Sequence, residues 1–496
     1  MNERARAVAP VSEPEAPPTP DEAPRPASHD TAPPQALVDF MLRHWEQPSP
    51  EPPPAVEHHE AFARRRRVLS ALFPGELLVI PTGHEKVRSN DTCYRFRPSS
   101  DFYYLCGNVE PDCVLAMVPR PGGHDAVLFV EPNTRSDATF FTDRAKGELW
   151  AGARLGVEKS RHRYAMDDCR SLKELPDFLK SLAGSVRPAR VTRGFDPLAD
   201  AAFSESERDK ELGTALAEMR LVKEDIEIAL LQQAIDATYR GFEDVIRALP
   251  RSGTERYVEG IFNLRARVEG NDVGYNTIAA SGPHATTLHW TRNDGELRHG
   301  ELLLLDAGIE GNSLYTADVT RTLPLSGRFS AEQRLIYELV HKAQRAAMDM
   351  IRPGIEYLAP NREAMRVLTE GLCELGILKV KPEFALQEDQ QLYRRYTLHN
   401  ISHMLGLDVH DCPAAKPENY KLCTLKPGLV FSNEPGLYFQ KDDLTVPERF
   451  RGIGVRIEDD VMVTADGCRN LSGAIPTTAD DVEAWLARLW NESPAR

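Results

Sequence analysis

The sequence contains no apolar run approaching the ~20 residues that a membrane-spanning helix needs, so a helical membrane anchor is not expected. Its first residues are rich in Pro, Glu and Ala and lack the apolar centre of a secretion signal, which makes a cytoplasmic location the expectation. Basic residues are outnumbered, 60 Lys and Arg against 75 Asp and Glu, for a formal net charge of −15. A surface of that sign does not neutralise phosphates, so nucleic acid is not an expected partner. The one basic run, Arg64 to Arg67, reads as the solvated face of a helix, with a local patch for an anionic partner as the alternative. Cysteine is sparse, eight residues without a CxxC pair. That speaks against a sulfur-rich zinc site and for free thiols in a reducing compartment.

A chain of 496 residues exceeds one ordinary core and predicts two folded domains. Residues 1–57 are expected to be a disordered extension: the first 54 hold 14 of the 37 prolines, which block helix and sheet propagation. Within it, Ala36 to Trp45 reads either as a helix or as a docking element. Residues 58–215 form a first domain of mixed α/β pattern. Ala61 to Phe73 and Ser171 to Leu182 are helical in spacing, and 76–81, 101–107, 113–119 and 126–130 are short β-type runs. Residues 216–496 read as an α+β domain that opens with one long amphipathic helix, Glu218 to Leu249. Helical stretches at 255–269, 331–351 and 362–375 then alternate with the strands ELLLLDAG, GLVFSNEPGLYF and GVRIEDDVMV.

Chemistry-bearing residues concentrate in this second domain. ELLLLDAG ends a buried-type strand on a carboxylate, Asp306, and TADVTRTLP begins a second strand with Asp318. A hairpin of the two brings both carboxylates to one end of one sheet face. There they repel one another unless a proton or a divalent cation intervenes; a turn cap and a surface ion pair is the alternative. HNISHMLGLDVHD places His399, His403 and His410 within twelve positions, the first two on one face if the segment is helical. Glu434 stands before a proline that enforces extended backbone. Glu458 shares a strand face with Arg456, which offers it a counter-charge as an alternative to a metal. Together Asp306, Asp318, His403, Glu434 and Glu458 make a set of four carboxylates and one imidazole. Two divalent ions balance its charge, and oxygen-rich ligation suits Mn²⁺ or Co²⁺.

The segment from about 216 to 478 resembles the catalytic domain of the pita-bread metallopeptidases (M24 type), the group of aminopeptidase P, prolidase and methionine aminopeptidase. The likeness is carried by YNTIAASG, LHW, LLLLDAG, ADVTRTLP, HNISHMLGLDVHD, EPGLY and RGIGVRIEDD, in that order, and is closest to aminopeptidase P. SNDTCYRFRPSSDFYYLCG and ELWAGARLG resemble the amino-terminal domain of the same enzymes. Two departures are visible: the loop between Asp306 and Asp318 is one residue longer than in a bacterial relative, and Asn400 stands where glycine is frequent. The resemblance implies an α/β amino-terminal domain followed by an α+β pita-bread (creatinase/aminopeptidase-like) catalytic domain.

It further implies two divalent metal ions, Mn²⁺ foremost, held by Asp306, Asp318, His403, Glu434 and Glu458. A metal-bridging hydroxide would attack the peptide carbonyl, with His289, His399, His410 and Glu434 as the catalytic groups and Tyr438 and Arg456 supporting substrate. The implied activity is removal of the first residue from peptides with proline in second position, by a homo-oligomer (dimer or tetramer). Prolidase, restricted to dipeptides, is the nearest alternative. A non-catalytic pita-bread binding protein is the more distant one, because all five ligand positions carry competent side chains.

Overall fold

The computed structural model describes residues 33–46, 49, 51–90, 92–132, 135–183 and 188–492. The extension expected over 1–57 falls largely on residues outside that set. Of the part described, Gln35–Met41 is a short helix, as one reading of the Ala36 to Trp45 patch expected. The chain divides into two compact units, the first ending at Ser204 and the second running from Glu205 to Arg496 and taking in Ala71–Phe73.

The first unit is built on a five-stranded mixed sheet. Its order is Asp168–Ser171, Gly123–Val130, Val114–Arg120, Leu77–Pro81 and Ala189–Val191. The two outer pairings are parallel and the two inner ones antiparallel. Leu77, Val79, Val114, Ala116, Val127 and Phe129 share a core with Leu175 and Leu179 of the helix Leu175–Ala183. Each such fully buried aliphatic side chain contributes about 1.5–3 kcal/mol.

Two expectations fail here, the second only in part. Residues 101–107 are not a strand but the end of the helix Ser100–Cys106. The Ser99 hydroxyl accepts the Phe102 N–H at 3.3 Å, Asp101 lies in the first turn, and Gly107 closes the helix at φ 70°. These caps outweigh the β propensity of Phe-Tyr-Tyr. The basic run is a solvated face only in part, at Arg64 and Arg67. Arg66 is buried and donates to the carbonyls of Leu105 at 2.8 Å and Ala165 at 2.9 Å, and Arg65 lies 4.1 Å over the Tyr104 ring.

In the second unit the expected long helix is two, Glu207–Leu221 and Asp225–Ala248. The break falls where Val222 turns extended and the Lys223 N–H bonds the carbonyl of Gly428 at 2.8 Å; Glu224 then caps the second helix through a capping box with Glu227. Strands Ile278–Ser281, Leu302–Ala307 and Val319–Pro324 form an antiparallel sheet. A second sheet joins Val430–Asn433, Asp459–Val463 and Cys468–Asn470, and Gly436–Tyr438 pairs with Gly454–Arg456. Helices 225–248, 255–269, 331–350, 359–374 and 479–492 pack around these sheets over one large core. No helix among the described residues is long and apolar enough to cross a membrane.

The cap at Gly107 gives a direct test. A Cβ there would sit 2.3 Å from the Phe62 ring in a backbone conformation that L-residues disfavour. Gly107→Ala is expected to destabilise the first unit by more than about 1 kcal/mol, read as an earlier transition in thermal unfolding of the full chain followed by circular dichroism.

Candidate metal centre

The register of the first sheet sets the site. Asp306 lies opposite Thr320 across the strand pair. Asp318, two residues before Thr320, points to the same face. The Tyr275 hydroxyl joins the two carboxylates, 2.6 Å from Asp306 Oδ1 and 2.5 Å from Asp318 Oδ1. Gly308 permits the approach, because a Cβ on it would lie 1.7 Å from the Ala317 carbonyl oxygen. The expected longer loop between the two aspartates is thus absorbed without separating them.

Glu458 reaches the same face from the second sheet. The strand does not run through it as expected: pairing stops at Arg456 and resumes at Asp459. The intervening Glu458 N–H bonds the Thr320 carbonyl at 3.1 Å, and its carboxylate accepts from Thr320 Oγ1 at 2.6 Å. Arg456 offsets its charge only at a distance and forms its direct ion pair elsewhere. That guanidinium pairs with Asp306 Oδ2 and also donates to Thr320 Oγ1 at 3.1 Å and to Tyr438 at 2.9 Å.

The histidine segment is not helical; His399 and His403 are brought in by an irregular loop. His403 Nε2 lies 3.2 Å from Asp318 Oδ2 and 3.4 Å from Glu434 Oε1. His399 Nδ1 lies 3.5 Å from Glu434 Oε2, and its Nε2 shares a hydrogen bond of 2.8 Å with the Tyr438 hydroxyl. His410 is exposed, its ring 4.2 Å from that of His403. His289 is exposed on its own loop, close enough to lower the proton affinity of both His399 and His410.

The electrostatics follow from burial. Desolvation pushes Glu434 up to about 7, opposed by His403 and reinforced by Asp318. Burial with Asp318 and Glu434 as neighbours lifts Glu458 well above the carboxylate range, and burial also raises Asp306 against the pull of Arg456. Burial works against charge on His403, yet its Asp318 hydrogen bond and the nearby Glu434 raise it to about 9. His399, buried and facing Arg456, falls to about 4. A divalent cation relieves this accumulation, and the donors fit one: Asp318, His403 and Glu458 each bring a ligand atom within 4.8 Å of the others.

Three polar residues behind the site had no role in the sequence reading. Tyr275 lies inside the recognised YNTIAASG segment, and Thr320 and Arg321 inside ADVTRTLP. Arg321, fully buried, donates to the carbonyls of Thr320 (2.9 Å), Glu458 (2.6 Å), Ile475 (2.9 Å) and Pro476 (2.7 Å) and to Asp459 Oδ1 (2.7 Å). Period-two alternation places Arg321 on the face opposite Thr320, the one signal that could have found it.

This site and fold belong to a known class. Residues 229–465 match the model of metallopeptidase family M24, and residues 62–190 match that of the aminopeptidase P N-terminal domain. The chain belongs to the M24 metallopeptidases, an α/β amino-terminal domain joined to an α+β pita-bread domain. It is 50% identical over 459 residues to Xaa-Pro aminopeptidase 1 of Streptomyces coelicolor, covering 91% of this chain and 92% of the relative. With the Xaa-Pro aminopeptidase of Haemophilus influenzae the identity is 36%, over 85% and 95% of the two chains. The structure of Escherichia coli aminopeptidase P with the inhibitor Pro-Leu matches with a TM-score of 0.79 at 31% identity, covering 87% of this chain and 99% of that one.

Adding a methyl group at Gly308 should part the two aspartate strands. Gly308→Ala is expected to cost about 1–3 kcal/mol and to lower bound metal per chain, read by calorimetry and elemental analysis; an unchanged metal content would show that the strands tolerate the wider spacing.

Proposed function

We infer that this chain is an Xaa-Pro aminopeptidase, a metal-dependent hydrolase that releases the first residue from peptides with proline in second position. The observation that carries the reading is the convergence of Asp306, Asp318, His403, Glu434 and Glu458 on one end of two sheets, within a chain that aligns along about nine-tenths of its length with relatives of that name.

We assign these five residues as ligands of two divalent ions, Mn²⁺ first among them, since four carboxylates and one imidazole offset a charge of about +4. Such ions, when bound, would supply a Lewis acid and a water of lowered pKa. The rest falls to the chain itself. Glu434, its carboxylate beside His403 and His399, is suited to take a proton from water and hand it toward the proline nitrogen. His410 and His289, both exposed toward solvent, are free to donate to the carbonyl of the first residue. His399 stays neutral and holds the Tyr438 hydroxyl, which Arg456 also grips; Tyr438 and Arg456 thereby form a fixed wall for substrate. A free amino terminus finds carboxylates at the Asp306 end, which favours exopeptidase over endopeptidase action. The proline nitrogen carries no hydrogen, so no acceptor for that group is needed. A homo-oligomer in the cytoplasm is our further assignment. The eight free cysteines support the reducing compartment, and light scattering after gel filtration reads the subunit number.

Mass spectrometry of products decides the activity. Metal-stripped protein given Mn²⁺ is expected to release the first residue from an Xaa-Pro-Xaa tripeptide; cleavage of an Xaa-Pro dipeptide alone would make it a prolidase. Asp306→Asn should lower kcat/KM by more than about 100-fold with the fold retained, and an unchanged rate would sink the ligand assignment.

Metal binding should also release protons. Near pH 7 His403, at about 9, is charged and Glu434, at about 7, is half protonated, whereas ligation needs both deprotonated. Affinity is therefore expected to fall as pH drops below about 9, measured by titration calorimetry in buffers of differing ionisation heat. Binding without proton release would contradict ligation through these groups.

A further inference from the structure

The loop that carries His289 is anchored on both sides of that residue. Leu288 and Trp290, either side of it, pack on Ile278, Ala280, Leu304 and Tyr438, while His289 between them is exposed. The turn at Leu288 and His289 sets the two flanking side chains inward and leaves the imidazole facing out.

The anchor beneath the loop is Glu255, the first residue of the helix Glu255–Glu269, fully buried. Its carboxylate accepts four hydrogen bonds. The Ser281 N–H (2.7 Å) and His284 Nδ1 (2.8 Å) reach one oxygen, and Trp290 Nε1 (2.8 Å) and the Gly295 N–H (2.7 Å) reach the other. Three of the four donors lie in the segment 284–295 that contains His289. Trp290 is also covered on its faces, stacked on His284 with ring centroids 3.8 Å apart and overlain by Arg292 at 4.2 Å. At the far side of the loop Asn293, buried in the left-handed conformation at φ 47°, accepts from the Ala279 N–H at 3.0 Å and donates to the Thr277 carbonyl at 2.9 Å. The loop is thus stapled to the helix and to the sheet edge on both sides of His289.

We propose that Glu255 and Trp290 are positioning residues for the peptidase reaction, acting through His289. A charged hydrogen-bond acceptor buried under the loop fixes the Trp290 indole, and the indole fixes the direction of the neighbouring imidazole. This rests on the assignment of His289 as a catalytic group above. Neither residue contacts the metal ligands, and the covered indole faces leave no surface on which a substrate could stack. A buried carboxylate whose only task was to cap a helix would need one or two backbone donors; two of these four come from side chains of the His289 loop.

A double-mutant cycle tests it. Trp290→Phe keeps a ring and removes the indole N–H, and is expected to lower kcat on an Xaa-Pro-Xaa tripeptide roughly tenfold with little change in KM. In a His289→Ala background the same substitution should change kcat by less than about twofold, because the group it positions is gone. Metal content and melting temperature should match the parent protein in each case. An equal loss in both backgrounds overturns the proposal, as does full activity of Trp290→Phe alone. A loss accompanied by lower metal content or melting temperature also overturns it, since the pair would then hold the fold and not the histidine. His289→Ala alone is read first. If it retains full activity, the catalytic assignment of His289 falls, and that failure is seen separately from failure of the coupling. Glu255→Gln extends the test: the amide nitrogen faces two donors it cannot accept from, so its kcat should fall at least as far as that of Trp290→Phe.

Discussion

Four carboxylates crowded into the interior at the end of two sheets are the constraint on which the rest of this structure turns. In water such a cluster costs little; out of water each added negative charge raises the cost of the others. The upward push on Asp306, Glu434 and Glu458 is that cost expressed as proton affinity. A fold can carry it only by supplying positive charge in the right places and by making the backbone too rigid to let the groups separate. Both devices are visible.

The positive charge comes in two kinds. Arg456 stands inside the site on Asp306, a permanent guanidinium that cannot be titrated away. Arg321 stands behind it, paired with Asp459 and bonded to the carbonyls of Thr320 and Glu458, so that both are tied from below. Asp459 in turn accepts from Gln344, Asn470 and Ser472. A buried ion pair so thoroughly hydrogen-bonded adds little net stability over apolar packing, but losing one member would strand the other's charge. Its value lies in fixing geometry. A third pairing, Asp411 with Arg220 and Lys223, does the same beneath the histidine loop. It uses the break between the helices Glu207–Leu221 and Asp225–Ala248, and Gly406 is needed there because a Cβ would meet Asp411 at 2.1 Å.

What could be read from the sequence divides along these lines. Apolar runs ending in Asp306 or containing Glu434 announced buried carboxylates, since strand periodicity and charge are local facts. The amphipathic helices from 255 onward were legible for the same reason. Ser99 and Gly107 bracketed a helix in plain view, yet the aromatic run between them, strand-like in composition, concealed it. The break at Val222 had only a faint local sign, the Glu224–Glu227 capping box. It exists because Lys223 serves residues about two hundred positions later, and long-range pairing leaves no periodic trace. Tyr275, Thr320 and Arg321 were hidden differently: each sat within a recognised motif, but their work is to orient a neighbour, and no spacing rule separates an orienting hydroxyl from a merely buried one.

The split between carboxylates in or beside strands and loop-borne histidines has a physical logic. Asp306 lies in a strand and Asp318, Glu434 and Glu458 each adjoin a strand terminus, so the paired backbone keeps all four from drifting. Histidines that exchange protons need distinct environments more than a common frame, and a loop gives each its own. His399 and His403, four residues apart, differ by about five pH units in proton affinity, from about 4 to about 9. Nothing in the residue type accounts for that. The first faces Arg456 and the second faces Asp318 and Glu434, so neighbours of opposite sign divide one short segment into a neutral imidazole and a charged one. A regular helix would have set both rings on one face and exposed them to much the same field. The irregular backbone between Thr397 and His410 is therefore what gives two histidines of one motif such different proton affinities.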